Sequence, residues 1–318
     1  MSELDDVLVV TVRKSFWASA EAERFPRRVH AHVFYGHSTN LLNSLVVFVR
    51  ALAVVALRRP RVVVLGSVER TVPWFVRARR LGLLGRAKLI VTNQLHLDDE
   101  QLHFVDCNLV YSRAWLERQR PLVRDRTTFV PLPADGHFAA ARAAAASGDY
   151  VFAGGGAGRD FASVIEALRE TDVTLEIVTF SSETLGWTGQ LPANVRVRWR
   201  MPVQSFLERA ASARLVVVPL RDAASDFGQT TVVQALSLGK AVVATRSPGV
   251  VDYVEHGANR FLVEAGDVAG YRDAILRLVR DDELRERFEQ RSRERAADLT
   301  YDTFARRLAE VCTALVRR

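Results

Sequence analysis

The chain has little cysteine, little lysine and no unbroken apolar run of bilayer length. Its two cysteines, Cys107 and Cys312, have neither the close spacing of a metal knuckle nor the density of a disulfide framework. They fit a reducing compartment. Lysine is reduced to Lys14, Lys88 and Lys240, so arginine supplies nearly all of the 44 basic residues. The longest apolar stretch, Leu41–Leu57, is interrupted by Asn43, Ser44 and Arg50. It is short for a membrane span and reads as a largely buried helix of an α/β domain. The opening MSELDDVLVV has no basic segment before its apolar residues and no cleavage-like site, so a cytoplasmic protein is expected. Glycine is missing where the first strand, Val7–Val12, runs into Arg13, Lys14, Ser15, Phe16 and Trp17.

What is present is globular. At 318 residues the chain can form two domains of ordinary size. A hydrophobic share of 48% with 25% charged residues excludes a disordered or membrane-embedded chain. The net charge of +7 suits an anionic partner, either nucleic acid or a membrane surface. The arginines are scattered and no nucleic-acid motif accompanies them, so nucleic acid is not expected. Peripheral contact with an anionic membrane, at the inner face, stays open. Val72–Arg80 (VPWFVRARR) sets Trp74 and Phe75 beside three arginines. It reads either as a surface-lying helix or as an amphipathic helix with its rings in the core.

The most informative stretch runs from Leu215 to Asp252. Leu215–Leu220 is apolar and β-branched, as a buried parallel strand requires. A polar turn follows, then a helix over Thr230–Leu238 with Gly239 at the position that wants a left-handed residue. Ala241–Thr245 is a second strand. The turn therefore lies at the carboxyl edge of a sheet, where open α/β sheets bind ligands. Backbone amides around Gly228, Gln229, Thr230 and Thr231 would leave a helix N-terminus and favour an anion such as phosphate. Gln234, one turn further in, carries an amide that can both donate and accept, which suits vicinal hydroxyls.

These residues resemble the nucleotide-sugar-binding core of retaining GT-B glycosyltransferases of family 4. Asp226 and Gln234 stand where that family has two glutamates at the same spacing, followed by Ala235, Gly239, Val242, Val243 and Gly249. The segment YVEHGANRFLVEAGD continues the pattern. The resemblance implies an α/β protein of GT-B architecture, with two Rossmann-like domains facing across a cleft. Residues 1–138 would form the acceptor-binding domain and 139–298 the nucleotide-sugar-binding domain. Residues 299–318 would form a helix returning to the first domain. FVPLPADGHF resembles the usual crossing between the two. The missing glycines after the first strand are a departure, and Arg13 and Lys14 are the candidates to replace them.

The second domain opens on the strand Tyr150–Ala153 and then Gly154, Gly155, Gly156, Ala157, Gly158 and Arg159. A glycine loop between strand and helix can approach phosphates or simply pack tightly. The resemblance implies that Gly155, Gly156 and Arg159 meet the diphosphate of a sugar nucleotide. It further implies that Arg200 and Met201 lie by the base, that Asp226 holds sugar hydroxyls and that Gln234 holds the ribose. His96, after the strand Lys88–Thr92, would act on the reacting sugar from the first domain; a satisfied surface or core histidine is the other reading. The acidic run Asp98, Asp99 and Glu100 reads more simply as a helix N-terminus than as a metal site. No metal and no cofactor are expected, the sugar nucleotide being a substrate.

The function implied is transfer of a sugar from a nucleotide-diphosphate sugar to an acceptor hydroxyl, with retention, in glycan, glycolipid or natural-product biosynthesis. Two other readings share the fold: a catalytically silent GT-B protein that binds a nucleotide or glycan or supports a partner enzyme, and a sugar-nucleotide epimerase.

Overall fold

The computed structural model describes residues 6–12, 27–31, 41–66, 69–93, 97–134, 148–224, 227–254 and 260–317. The chain separates into two compact units. One is Met1–Pro133 with Tyr301–Arg318, the other Ala134–Thr300. The boundary expected at 138/139, the Ala-rich run after it and the residues following the first strand lie outside the described residues.

The first unit holds a six-stranded sheet in the order β2-β1-β3-β4-β5-β6. Its strands are β1 (Val7–Val12), β2 (Arg27–Ala31), β3 (Val62–Gly66), β4 (Lys88–Thr92), β5 (Cys107–Val110) and β6 (Thr127–Phe129). Every pairing is parallel. Parallel strands are covered on both faces, and Leu8, Val10, Val63, Leu65, Leu89 and Val91 accordingly lie in one core. Helices α1 (Leu41–Arg58) and α2 (Val72–Arg80) pack on this core.

The expectation that Leu41–Leu57 is largely buried is corrected here. Helix α1 buries only Asn43, Ser44, Val47, Ala51 and Val55. Leu41, Leu42, Leu45, Val46, Val49 and Leu57 face outward. Its polar pair and small residues take the inward stripe, so the large apolar side chains are out of phase with the core. Helix α2 does the reverse: Phe75 is sealed in, and Phe48 stacks edge-on against both Phe75 and Trp74 at 5.1 and 5.7 Å. The acidic run forms the N-terminus of α3 (Asp99–His103). Asp98 caps it by accepting from the Gln101 amide at 2.7 Å, and Gln101 returns the bond.

The second unit's sheet runs β12-β11-β10-β7-β8-β9, again all parallel. The strands are β7 (Val151–Gly154), β8 (Leu175–Thr179), β9 (Val195–Trp199), β10 (Leu215–Val218), β11 (Ala241–Thr245) and β12 (Arg260–Val263). The order is the dinucleotide-fold order, whose direction reverses between β7 and β10. That reversal opens a crevice at the carboxyl ends of these two strands. Around it stand α4 (Phe161–Leu168), α5 (Val203–Ser212) and α6 (Gln229–Ser237), with α7 (Val268–Arg280) packed on α4. The core of Val, Leu, Ile and Phe side chains is contiguous from β7 to α8 (Asp282–Ala296). The chain then returns to the first unit as α9 (Tyr301–Arg317). Ala134 and Thr300, the two ends of the second unit, are bridged side by side, and the Ala134 amide donates to Leu299 at 2.7 Å.

Candidate functional site

The crevice of the second unit is built from two loops that are remote in sequence and adjacent because β7 and β10 are neighbours. The loop leaving β7 starts at Gly155, whose amide donates to Val178 at 3.0 Å. Gly155 has φ of 120°, and a Cβ there would meet the Arg159 guanidinium at 2.8 Å. Glycine is thus required both by the backbone and by the arginine behind it. Arg159 in turn bridges to Leu220 in the loop leaving β10. Arg221 donates to Gly158 at 2.9 Å, and Asp160 donates to Pro219 at 3.1 Å. The two loops are therefore zipped together across the switch point.

Arg159 is the centre of this arrangement and is only 6% exposed. Its Nε donates to the Gly154 carbonyl at 3.1 Å and Nη1 to the Ala157 carbonyl at 3.2 Å. Nη2 donates to Thr231 Oγ1 at 2.8 Å. A guanidinium has five N–H donors in a fixed fork, so three serve the loop and the first turn of α6, and two remain. All three acceptors are neutral. Among the described residues no carboxylate compensates the charge, and burial lowers the arginine to about 10, which leaves it cationic at neutral pH.

Helix α6 begins beside it. Gly228 stands at its N-cap with φ of 98°, over Val250 and Leu220, and offers no side-chain cap. The first-turn amides of Gln229, Thr230 and Thr231 are left to other partners. The positive end of the helix dipole and a buried guanidinium thus lie together without a counter-ion among the described residues. Two like charges in a partly dry crevice repel unless an anion joins them. Gln229 and Gln234 are also buried, each 8% exposed.

The floor is braced by residues the sequence reading did not single out. Thr245 Oγ1 accepts from the Leu220 amide at 2.6 Å and lies 2.6 Å from the Tyr271 hydroxyl. Burial raises the Tyr271 phenol well above its ordinary range, so it stays neutral. Phe180 and Phe227 cover the loop from outside: a Cβ on Gly156 or Gly158 would strike their rings at 2.7 and 2.8 Å. No local motif announces such partners, because they come from other strands.

Residues 183–295 match the family model described as "Glycosyl transferases group 1". A stretch of 61 residues is 33% identical to N-acetyl-alpha-D-glucosaminyl L-malate synthase of Bacillus anthracis; it spans 19% of this chain and 16% of that protein. A solved glycosyltransferase structure from Rickettsia africae superposes over 98% of both chains, with a TM-score of 0.72 at 11% identity. Anabaena HepE in complex with UDP-glucose superposes over 97% of this chain and 99% of its own, with a TM-score of 0.68 at 15% identity.

The fold is GT-B.

Within this GT-B chain the family match begins after Gly155, Gly156 and Arg159 and takes in α6 with Gln229 to Gln234. The Arg159–Thr231 bond ties the unmatched loop to the matched helix. Arg200 and Met201 follow β9 at the same carboxyl edge. Arg200 takes φ of 50°, its amide donates to Thr179 at 2.9 Å, and its Nε donates to the Phe180 carbonyl at 3.2 Å. Phe180 is thereby the link between Arg200 and Gly156. His96 and Asp226, expected at the reacting sugar, lie outside the described residues.

Proposed function

We propose that this protein is a glycosyltransferase that takes a nucleotide-diphosphate sugar in the crevice of its second unit and transfers the sugar, with retention, to an acceptor hydroxyl. One observation carries the reading: a buried Arg159, with no carboxylate partner among the described residues, beside the N-terminus of α6, which has no side-chain cap. The diphosphate of such a donor is dianionic while it is bound to the sugar and departs with one further negative charge. Its charge grows as the bond from the anomeric carbon to the phosphate oxygen breaks, and preorganised cationic and N–H groups lower that barrier. The acceptor oxygen forms the new bond to the anomeric carbon, and its proton leaves to the released diphosphate or to solvent. Gln234 serves the ribose hydroxyls, Arg200 and Met201 the base through backbone groups, and Asp226 the hydroxyls of the sugar. His96 acts on the reacting sugar.

Support also comes from likeness: the matched family is one of glycosyl transferases, and the similar Anabaena protein binds UDP-glucose. The scheme uses Arg159 and backbone amides where other transferases use a divalent cation, so we expect turnover to persist in EDTA. The test is a panel of UDP-, GDP- and dTDP-sugars scored first by thermal shift and then by nucleotide release. Stabilisation by one donor, followed by release when an acceptor is present, is the expected result. Stabilisation without release would favour a silent binder, and release without acceptor would favour an epimerase. No stabilisation by any of them would overturn the reading of the crevice.

A further inference from the structure

The amino edge of the first unit's sheet, on the side away from the carboxyl edge where such sheets bind ligands, carries a cavity of about 900 Å³. It lies beside the amino ends of β3 and β4, between the last turn of α1 and the loop joining α2 to β4. Arg59, Arg61, Arg86 and Lys88 line it, and no acidic side chain does. Lys88 is engaged by Asp106 at 3.4 Å, which Arg79 also holds at 3.1 Å. Among the described residues none of the three arginines has a carboxylate partner. Arg59 even takes φ of 47°, the position after a helix where glycine is normal, yet an arginine stands there and borders the cavity.

The rim is apolar. Leu57 is 82% exposed, Leu81 73% and Leu83 55%. The outward apolar stripe of α1 runs down to this rim, and its Ala56 lines the same cavity as Leu83. Exposed leucines collected around arginines that lack a carboxylate partner among the described residues form more than singly scattered surface apolar residues. A small phosphate would use the arginines and leave the leucines wet. A second copy of this chain, also at net charge +7, would set like charges against each other at such a patch. A bilayer with anionic headgroups answers both halves of the surface at once, since basic residues take the phosphates while apolar ones enter the boundary with the acyl chains.

We propose that the amino edge of the first unit docks on an anionic phospholipid bilayer, with Arg59, Arg61 and Arg86 at the headgroup phosphates and Leu57, Leu81 and Leu83 in the interface. The helix α1 stays part of the fold, held by Val47, Ala51 and Val55, and lies against the membrane rather than across it. The surface is independent of the sugar-transfer reading.

The test is co-sedimentation of the full chain with vesicles of phosphatidylcholine alone or of phosphatidylcholine with phosphatidylglycerol, at rising salt. Partition to the anionic vesicles only, weakening with salt, is expected. Each basic residue near an anionic surface is worth about fivefold in partition. Arg59→Glu with Arg86→Glu should therefore lower it at least roughly 20-fold, by the same per-charge figure. Leu57→Ser with Leu83→Ser should lower partition while leaving the salt dependence in place. Circular dichroism and the melting temperature confirm that each variant is folded; where the reversals fail to fold, the single changes Arg59→Gln and Arg86→Gln carry the test. Equal binding to both vesicles overturns the proposal, as does partition indifferent to the arginines. Saturable binding of glycerol phosphate without vesicle partition would make the cavity a site for a soluble anion. Self-association by light scattering that only the leucine variants abolish would make it an interface between copies.

Discussion

Replacing Arg159 by methionine separates the two things that side chain does. The change keeps the stem and removes the charge. Burial lowers the arginine from its ordinary 12.5 to about 10. At about 1.4 kcal/mol per unit of pKa, holding the cation in the crevice costs the free protein about 3 kcal/mol. Methionine relieves that cost but strips a donor from Gly154, Ala157 and Thr231. At about 1 kcal/mol for each acceptor left short, the loss is of the same size. The melting temperature of the unliganded variant should therefore stay within a few degrees of the parent. Binding of a nucleoside diphosphate behaves differently, because a buried charge-assisted contact is worth about 3 kcal/mol, or roughly 100-fold in Kd. Calorimetry with UDP, GDP and dTDP reads that loss directly, beside a thermal melt of the free variant. A Kd within twofold of the parent would refute the assignment of Arg159 to the diphosphate. So would a collapse of the melt accompanied by undiminished binding in whatever fraction stays folded.

Three further outcomes follow from particular contacts. Gly155→Ala should lose nucleotide affinity and a few degrees of melting temperature together, because its Cβ strikes the guanidinium at 2.8 Å and its φ of 120° is strained for alanine. A variant that binds and melts like the parent would show the loop to be pliable. Glu176, almost fully buried on β8, is held by Arg209 and by Arg198 at 3.3 Å. Glu176→Gln takes the counter-charge from two cations that are themselves partly exposed and should cost about 1 kcal/mol in urea unfolding, with little effect on nucleotide affinity. Burial pushes the Cys312 thiol up to about 12 from an ordinary 9. The unfolded chain therefore gives up this proton first as pH rises, so stability should fall between about pH 9 and 12, by up to about 1.4 kcal/mol per pH unit. Cys312→Val should flatten that slope, and an unchanged alkaline limb would refute the reasoning.

The parts of the fold legible in sequence are those where local and tertiary demands agree. Leu215–Val218 and Ala241–Thr245 are buried on both faces and read as apolar runs. Gly239, with φ of 71°, ends the helix between them where expected. Edge strands are the opposite case. β2 (RRVHA) and β6 (TTF) each pair with one neighbour only, and nothing in their composition announces a strand. Helix α1 was legible as a helix but not in its phase, because Asn43 and Ser44 occupy the inward stripe in place of leucines. In the crevice, the glycines and the arginine were visible as a motif. The bond from Arg159 to Thr231 was not, since it depends on β10 lying beside β7. The bracing by Thr245 and Tyr271 needed the sheet order as well.

The bridge between Ala134 and Thr300 has an evolutionary and practical consequence. Because both ends of the second unit meet there, residues 134–300 form a continuous insert whose entrance and exit coincide. A segment with adjacent termini can be lifted out, or exchanged for a homologous one, without reconnecting distant points of the host. The first unit lacks this freedom: its last helix is encoded after the insert, and making it alone requires joining 133 to 301. Modular exchange in this architecture should therefore proceed by replacing the second half as a cassette, leaving the first half and its own surface unchanged.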